Sequence, residues 1–354
     1  MILYTIFFFL CSFFLFYFYP KEFEPITHLQ ENWAWDKKEF AGLRNDARFN
    51  YKPIDFINGY KTENGVFFFK GGSFAIPENQ FSEFPVVGKG HFLYKKIGSS
   101  VLYYSSNGEI LWEKNYKSYP RTNPDGSLIL LTAGDGNQVL VANKNGDLTG
   151  VERVDGKFLT DISYSLEKNS ALILFSGGEI YKLDENGKLI YQKNFSSEKE
   201  ISFFKSSTIS PNSNLIAIHS YRNKKDIIEI INEKNIILYS HILESVYAHR
   251  IYMAMNDKAE LLLNLPDKVI LLNKNGKKEF EKNKTEKEGI YQIAFANNLF
   301  FAYNQNGVIK FTDNKGVIFK EKKVPSGSRI ISTKKDSLLF LETPKEIYAI
   351  QKME

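Results

Sequence analysis

The chain contains almost no cysteine. Its single thiol, Cys11, lies in an apolar N-terminal segment, so the remainder of the 354 residues has none. A disulfide framework and a cysteine-based metal site are therefore both excluded from the globular part of the protein. The absence of thiols is compatible with an oxidising compartment.

Charge of one sign is not concentrated anywhere. The 46 basic and 41 acidic residues give a net charge of +5, and the densest run, from Lys277 to Glu288, mixes lysine with glutamate. A protein that binds nucleic acid concentrates positive charge on one face. We therefore expect no nucleic-acid partner, and we interpret the run as a solvated hairpin.

The usual motifs of catalysis and cofactor binding are also missing. The sequence has no Gly-x-Ser-x-Gly, and the glycines at 134 and 136 are not followed by the lysine of a phosphate-binding loop. The turn at Asp184 to Gly187 lacks the terminal glutamate of a calcium loop. We therefore nominate no catalytic, cofactor-binding or metal-binding residue, and we expect no cofactor.

What the sequence does contain is a repeat of about 40 residues. Each copy has an apolar strand, a turn built on Asn-Gly or a variant of it, and a charge-rich strand. The turn glycines are Gly108, Gly146, Gly187, Gly276 and Gly316, at steps of 38, 41, 89 and 40 residues. The long step contains one more copy, 227–238, that lacks only the glycine. A period near 40 with short strands predicts a β-propeller with about four strands per blade.

The repeats predict an all-β fold, a seven-bladed β-propeller over residues 56–354 whose blades begin near Phe84. The middle strands are apolar runs, as expected when both faces of a sheet are covered, and the strands after the turns carry the charges of outer edges. Each Asn-Gly pair predicts a two-residue hairpin turn with φ > 0 at both positions. A six-bladed ring is the alternative.

The last predicted blade ends at Glu354 without an outer strand. We expect the N-terminal strand 66–70 to pair with Glu346 to Ile350 and close the ring. Residues 20–55 are predicted to form a stalk in which Asn32 caps a short helix. One face of that helix would carry Trp33, Phe40, Leu43 and Ala47.

Residues 1–19 are predicted to form a transmembrane signal-anchor. Residues 2–19 carry no charged side chain and include seven phenylalanines. As a helix they would span about 27 Å, so we expect them to contact the lipid bilayer. The alternatives are a cleaved signal peptide and a lipoprotein processed before Cys11, but the segment lacks the basic start and the small residues that these require.

The orientation of the anchor has two interpretations. Lys21, Lys37 and Lys38 follow the span and no basic side chain precedes it, which places the propeller in the cytoplasm by the positive-inside rule. A lone N-terminal anchor on a thiol-free propeller favours export instead. We expect the propeller on the exported side, periplasmic or extracellular.

The segment from Asn107 to Lys114 resembles the repeat of the quinoprotein-like propellers, in which a strand, a glycine-containing turn and a strand with tryptophan recur. The segment from Asn186 to Tyr191 is similar, with tyrosine in place of tryptophan. The resemblance extends to the WD40-like superfamily and covers residues from about 84 to 354. It implies an architecture; quinone dependence is not implied, because only Trp112 lies in a blade and no cysteine pair is present.

Two groups of polar residues are candidates for chemistry. His219, His241 and His249 fall in adjacent blades and could meet Asp226 or Glu244, although ordinary strand histidines are the simpler interpretation. The first strands of the blades should line the central channel. The residues expected there are Tyr164, Lys205, Arg250, Tyr252, Tyr291 and Arg329.

The function that these patterns favour is a non-enzymatic, membrane-anchored scaffold in a cell envelope, which binds one or more protein partners on a propeller rim. The alternative is a propeller hydrolase or lyase that acts on a sugar or lactone at one mouth of the channel. Histidine and carboxylate side chains within about 4 Å of each other at that mouth would indicate the enzyme. A broad apolar surface would indicate the scaffold.

Overall fold

The computed structural model describes residues 29–36, 57–61, 65–149, 154–195, 202–284, 293–296, 300–305, 307–313, 315–334 and 338–352. These residues form 31 β-strands in eight sheets. No helix in the described ranges is long and apolar enough to cross a membrane. The predicted anchor and the part of the predicted stalk helix beyond residue 36 lie outside the described residues.

Each sheet is one blade, and we number the blades from the N-terminal side. Blade 1 contains β2 (Gly59–Lys61), β3 (Gly65–Phe68) and β4 (Gly72–Ala75); blade 2 contains β5 (Gln80–Glu83), β6 (Gly90–Lys95), β7 (Val101–Ser105) and β8 (Ile110–Lys114); blade 3 contains β9 (Tyr119–Thr122), β10 (Leu128–Thr132), β11 (Gln138–Asn143) and β12 (Val154–Asp155); blade 4 contains β13 (Leu159–Tyr164), β14 (Ala171–Phe175), β15 (Glu179–Leu183) and β16 (Leu189–Asn194).

The second half of the chain continues the same antiparallel order. Blade 5 contains β17 (Ser202–Ile209), β18 (Leu215–Arg222), β19 (Lys225–Asn232) and β20 (Ile237–Ile242); blade 6 contains β21 (Tyr252–Met255), β22 (Leu261–Asn264), β23 (Lys268–Leu272) and β24 (Lys278–Asn283); blade 7 contains β25 (Ile293–Ala296), β26 (Phe300–Gln305), β27 (Val308–Thr312) and β28 (Ile318–Lys323); blade 8 contains β29 (Arg329–Ser332), β30 (Leu338–Glu342), β31 (Glu346–Lys352) and, as its outer strand, β1 (Leu29–Asp36).

A separate apolar cluster joins every neighbouring pair of blades. Leu172 and Leu174 of blade 4 pack on Ile216 and Ile218 of blade 5, for example, and seven further clusters join the other pairs. The cluster between blades 8 and 1 contains Phe340 and closes the circle. The β-propeller prediction is confirmed, and the blade count of seven is wrong: the ring has eight.

Blade 1 was missed because it lacks the repeat. Its last hairpin turns through Gly71 and Gly72 instead of an Asn-Gly turn, and only three of its strands are described. Asn58, directly before β2, donates a 2.9 Å backbone hydrogen bond to Val86 in the turn between the first two strands of blade 2. That position makes β2 the second strand of its blade, not the first.

Two contacts of the other strands of blade 1 agree with this assignment. Gly71, between β3 and β4, lies against Ser106 in the turn between the third and fourth strands of blade 2. Phe74 on β4 packs on Gly108 of the same turn, as Trp112 on the fourth strand of blade 2 packs on Gly146 of blade 3. Blade 1 therefore has its second, third and fourth strands, and its inner strand is not among the described residues.

The ring is closed by β1, which pairs antiparallel with β31 from Leu29 to Asp36. The expected closing strand 66–70 is wrong, because Gly65–Phe68 pairs with β2 and β4 inside blade 1. The predicted helix after Asn32 is also wrong over residues 32–36. An outer strand needs only one ladder of backbone hydrogen bonds, which a segment about 310 residues away can provide as well as a neighbouring one.

The repeated turn differs from the predicted one. In six blades a side-chain oxygen accepts hydrogen bonds from the backbone N–H groups two and four residues later; these residues are Ser105, Asn143, Asp184, Asn232, Asn273 and Asp313. Only the residue three positions later has φ > 0, which is glycine in five blades and Asn235 in blade 5. The preceding asparagine is not left-handed, because the turn is a type I turn followed by a glycine bulge.

We predict that removing β1 opens the ring. Replacement of residues 29–36 by an equally long Gly-Ser sequence should lower the thermal midpoint by more than about 5 °C, since the ladder on β31 and the cover of blade 8 are lost together. Differential scanning calorimetry of the full chain measures the effect. The same replacement of residues 21–28 is the control, and equal midpoints for both variants would contradict closure by β1.

A second prediction concerns the turn glycines. Gly276 has φ +74°, and a Cβ there would lie 2.6 Å from the Tyr239 ring, so Gly276→Ala should cost about 2 kcal/mol of unfolding free energy. Gly134 has no left-handed φ, and a Cβ there would have no atom closer than 3.9 Å, so Gly134→Ala should change stability by less than about 0.5 kcal/mol. Denaturant titration compares the two, and similar losses would refute the proposed bulge geometry.

Candidate functional site

The inner strands surround a central channel. Consecutive inner strands contact each other in five places: β5 with β9, β13 with β17, β17 with β21, β21 with β25, and β25 with β29. Between β29 of blade 8 and β5 of blade 2, the described residues supply no inner strand for blade 1.

A cavity of about 370 Å³ lies at that point. It is bounded by Glu83 and Phe84 at the end of β5, by Ile57 before β2, and by Arg329 and Ser332 at the two ends of β29. Its volume falls within the range of small-molecule and peptide-side-chain sites. The cavity thus lies between the inner strands β29 and β5.

Tyr164, at the end of β13, lines both this cavity and a second one of about 200 Å³ that reaches Met253 and Met255 of blade 6. Its hydroxyl is buried and has no hydrogen-bond partner among the described residues. Burial raises the pKa of Tyr164 well above its usual value, so the group stays neutral. An unpaired buried hydroxyl is costly, which makes it an available donor for a ligand.

Glu83, Arg329 and Lys334 are the charged residues that line the first cavity, and further charged side chains lie beside Glu83. Glu83 lies 3.8 Å from Arg121 of blade 3, and Lys61 at the end of β2 donates a hydrogen bond to the backbone of Ser82. Burial raises the pKa of Glu83 despite the opposing charges of Arg121 and Lys61. Burial likewise lowers the pKa of Lys61, with Glu83 acting against it. Both shifts show that this wall of the channel is poorly solvated.

A second polar group lies across the channel in blades 4, 5 and 6. Asp161 accepts hydrogen bonds from the backbone N–H of Ser207 at 2.9 Å and from the Arg250 guanidinium at 3.2 Å. Burial raises the pKa of Asp161 to about 6, although these hydrogen bonds act to lower it. This carboxylate joins the inner strands β13 and β17 to Arg250, which lies just before β21.

Among the described residues, only one of the predicted histidine–carboxylate contacts is present, and it lies inside blade 5. His219 Nε2 lies 3.2 Å from Asp226, and both side chains are fully buried. Asp226 also binds Lys205 Nζ at 2.6 Å and the backbone N–H of Tyr247 at 2.8 Å. Burial lowers the pKa of His219, so it is neutral. For Asp226 these hydrogen bonds outweigh burial and lower its pKa.

The other two histidines do not join this pair. His241 lies on β20, with Nδ1 3.3 Å from the carbonyl oxygen of Gly276, and His249 is exposed in the loop before β21. Within the described ranges no three His, Cys, Asp or Glu side chains are placed to hold a metal ion. The His219–Asp226–Lys205 group is therefore a buried structural network without access to the channel.

The sequence located part of the channel correctly. Tyr164 and Arg329 line the cavity, and Arg250 joins Asp161, with its guanidinium 5.0 Å from the Tyr252 ring. Lys205 is instead buried against Asp226, and Tyr291 lies outside the described residues.

The functional residues that the sequence missed are Glu83, Arg121 and Asp161. Each lies on a short first strand directly before an apolar second strand. A polar residue at that position was the available signal, because first strands line the channel.

We predict a pH-dependent stability contribution from Asp161. Its pKa in the fold, about 6, is above the ordinary 3.8, so the folded chain binds this proton more tightly than the unfolded chain. The contribution is present near pH 4 and is lost as the pH rises through 6, by at most about 3 kcal/mol. Urea titrations at several pH values should show a flatter profile for Asp161→Asn over this interval. Asp135→Asn, at an exposed turn, is the control; parallel profiles for all three proteins would contradict the assignment.

One of the comparisons with known proteins bears on the architecture. No protein-family model and no curated protein matches the chain. Among solved structures, the crystal structure of BamB from Moraxella catarrhalis is similar with a TM-score of 0.58 and 12% identity, over 91% of this chain and 97% of that chain. A streptogramin B lyase structure gives a TM-score of 0.49 and 14% identity, over 78% of this chain and 95% of that chain. At such identities the likeness shows the β-propeller fold alone.

Proposed function

We propose that the protein is a non-enzymatic scaffold that binds an extended segment of a partner protein along the outer edge of blade 5. The observation that carries this proposal is the composition of β20, Ile237–Ile242. It is six residues long, contains no charged residue, and is the outermost strand of its sheet. A strand edge with these properties is an open template for another strand.

Aliphatic side chains are exposed along this edge. Ile236, Ile237, Leu238 and Ile242 are each between 45% and 55% exposed, and Val246 in the following loop is 53% exposed. The inward side of the strand is occupied by Tyr239, which is buried against Gly276 of blade 6. The strand thus has a fixed inner face and an unusually apolar outer one.

The corresponding strands of other blades are protected by charge. β24 carries Lys278, Glu279, Glu281 and Lys282, and β28 carries Lys320, Glu321, Lys322 and Lys323. β8, β12 and β16 each carry at least one charged residue. β4 is uncharged, but its large side chain, Phe74, packs on blade 2. Blade 5 is therefore the outer edge best suited to strand addition.

The enzyme alternative has less support in the described residues. It requires a histidine and a carboxylate near a channel mouth, whereas His219 and Asp226 meet inside blade 5 with no exposed surface. Glu83, with its raised pKa, does face the cavity. It has basic and tyrosine neighbours, but no histidine is among the residues that line the cavity.

The proposal includes the N-terminal anchor. Residues 2–19 would hold the scaffold at a membrane, with the propeller on the exported side, because an uncharged apolar segment of this length matches the hydrocarbon core. A C-terminal reporter that is active only in the cytoplasm would contradict export.

We predict that charge on β20 abolishes partner binding. Some membrane proteins should co-purify with the wild-type chain. Their yield with the double variant Ile237→Lys, Ile242→Lys should be lower by at least about tenfold, because lysine on an edge strand opposes strand addition. Quantitative mass spectrometry after affinity capture measures this. The matched control is Val317→Lys, Ile318→Lys on the already charged edge of blade 7. Equal recovery from all three proteins would refute the proposal.

A further inference from the structure

The two sides of the ring carry different connections. In blades 2 to 7 the repeated turn joins the third strand to the fourth, and these turns share one side of the ring, which we call the turn rim. The connections between first and second strands lie on the same side, because neighbouring strands alternate in direction. In blade 2, for example, Ser106 of the repeated turn donates a 2.8 Å backbone hydrogen bond to Lys89. The remaining connections form the opposite rim.

The chain enters the ring at the turn rim. β31 is the third strand of blade 8, so its last residues lie where the other blades begin their repeated turn. Leu29 pairs with Lys352 at this end of β31, and Asp36 pairs with Glu346 at the other end. β1 therefore begins at the turn rim and ends at the opposite rim.

The connection from the proposed anchor to β1 is short. Residues 20–28 span at most about 30 Å when fully extended. β1 has eight residues and is itself about 26 Å long. To bring the opposite rim to the membrane, the connection would have to run back along nearly the whole length of β1. The turn rim can reach the membrane without such stretching, at a smaller cost in conformational entropy.

Exposed lysines outnumber exposed acids on the turn rim. The exposed lysines of its connections are Lys70, Lys89, Lys144, Lys168, Lys188, Lys234, Lys258, Lys274, Lys277, Lys315 and Lys334. The exposed acids are Glu109, Asp147, Glu167, Glu185 and Glu233. The outward charge of the described part of this rim is therefore positive.

The other described acids of the turn rim are half-buried and accept hydrogen bonds from the chain. They are Asp125, Asp184, Asp257, Glu260 and Asp313. Asp257, for example, accepts a 3.0 Å bond from the backbone N–H of Asn212. These carboxylates hold turns and loops, whereas the lysines extend into solvent. A surface of this kind attracts anionic lipid headgroups.

We propose that the turn rim of the propeller faces an anionic membrane surface and that the opposite rim points away from it. The entry point of the chain selects the rim, and the lysines select the kind of lipid. This inference rests on the anchor of the proposed function, to which it adds the side of the propeller that faces the lipid. It does not depend on the edge of blade 5.

The test uses the full chain with Cys11→Ser, in liposomes of phosphatidylcholine with a minority of phosphatidylglycerol. Single cysteines are placed at exposed positions, Asn145→Cys and Asn275→Cys on the turn rim and Asn137→Cys and Ser245→Cys on the opposite rim. A thiol-linked donor fluorophore then reports energy transfer to an acceptor on the lipid headgroups.

Transfer from each turn-rim position should exceed transfer from its partner by at least about twofold, because a strand of about 17 Å separates the two rims. The pairs are Asn145→Cys with Asn137→Cys, near blade 3, and Asn275→Cys with Ser245→Cys, near blade 6. Equal transfer within the pairs, or more transfer from the opposite rim, would overturn the inference. The same holds if only one of the two pairs shows the difference, because the ring would then lie on its edge.

Flotation of the liposomes separates this inference from the proposed anchor. A chain that does not float with the lipid contradicts the anchor and, with it, the orientation. A chain that floats but shows no difference between the rims contradicts the orientation alone. The blade 5 variant Ile237→Lys, Ile242→Lys should keep the full difference, since the edge site has no part in it.

Charge variants test the kind of lipid. Lys144→Glu, Lys168→Glu on the turn rim should reduce the difference between Asn275→Cys and Ser245→Cys by at least about half, because two attractive charges become repulsive. Lys117→Glu, Lys157→Glu, at exposed positions of the opposite rim, is the matched control and should leave the difference unchanged. Equal reductions by the two double variants would refute the role of the turn-rim lysines.

Discussion

The burial of both faces of every sheet is the constraint on which this structure depends. Each blade has apolar side chains on two sides, and eight clusters bury them pairwise around the ring. A ring has no terminal sheet only if the last blade meets the first, which here requires Phe340 of blade 8 to pack with Phe67 of blade 1. Blade 1 is therefore needed for closure, and its place is set by its apolar faces.

The same constraint places charged groups where water is scarce. The apolar clusters are built mainly from middle strands, and polar side chains at the channel end of the blades are buried beside them. There Glu83 lies 3.8 Å from Arg121, and burial raises the pKa of Glu83 and lowers that of Lys61. In blade 5 the buried Asp226 lies 2.6 Å from Lys205 and 3.2 Å from His219. In both places opposite charges offset part of the cost of burial.

Much of the architecture could be predicted from the sequence, because the repeated turn is a local device. A side-chain acceptor three residues before a left-handed residue folds the same way in six blades, and in five of them that residue is a glycine whose spacing reveals the repeat. Blade 5 shows the limit of that signal, since Asn235 adopts the same backbone with φ +64° and gains a hydrogen bond from Tyr191 at 3.0 Å. Blade 1 was not predicted because it turns through Gly71 and Gly72. The closing strand β1 was not predicted because pairing between residues about 310 positions apart leaves no local pattern in the sequence.

The candidate site was harder to predict than the fold for a related reason. Channel residues are brought together by ring geometry: Glu83, Arg121 and Arg329 come from blades 2, 3 and 8, and nothing in their local sequence relates them. The outer edges are different, because each is one continuous segment and its charge can be read directly. The lack of charge from Ile236 to Ile242 was visible in the sequence. Its significance is clear only from a comparison with β24 and β28. The lysines and glutamates of those two outer strands protect them against pairing with another strand. Among the long outer edges of this ring, blade 5 is therefore the one without that protection.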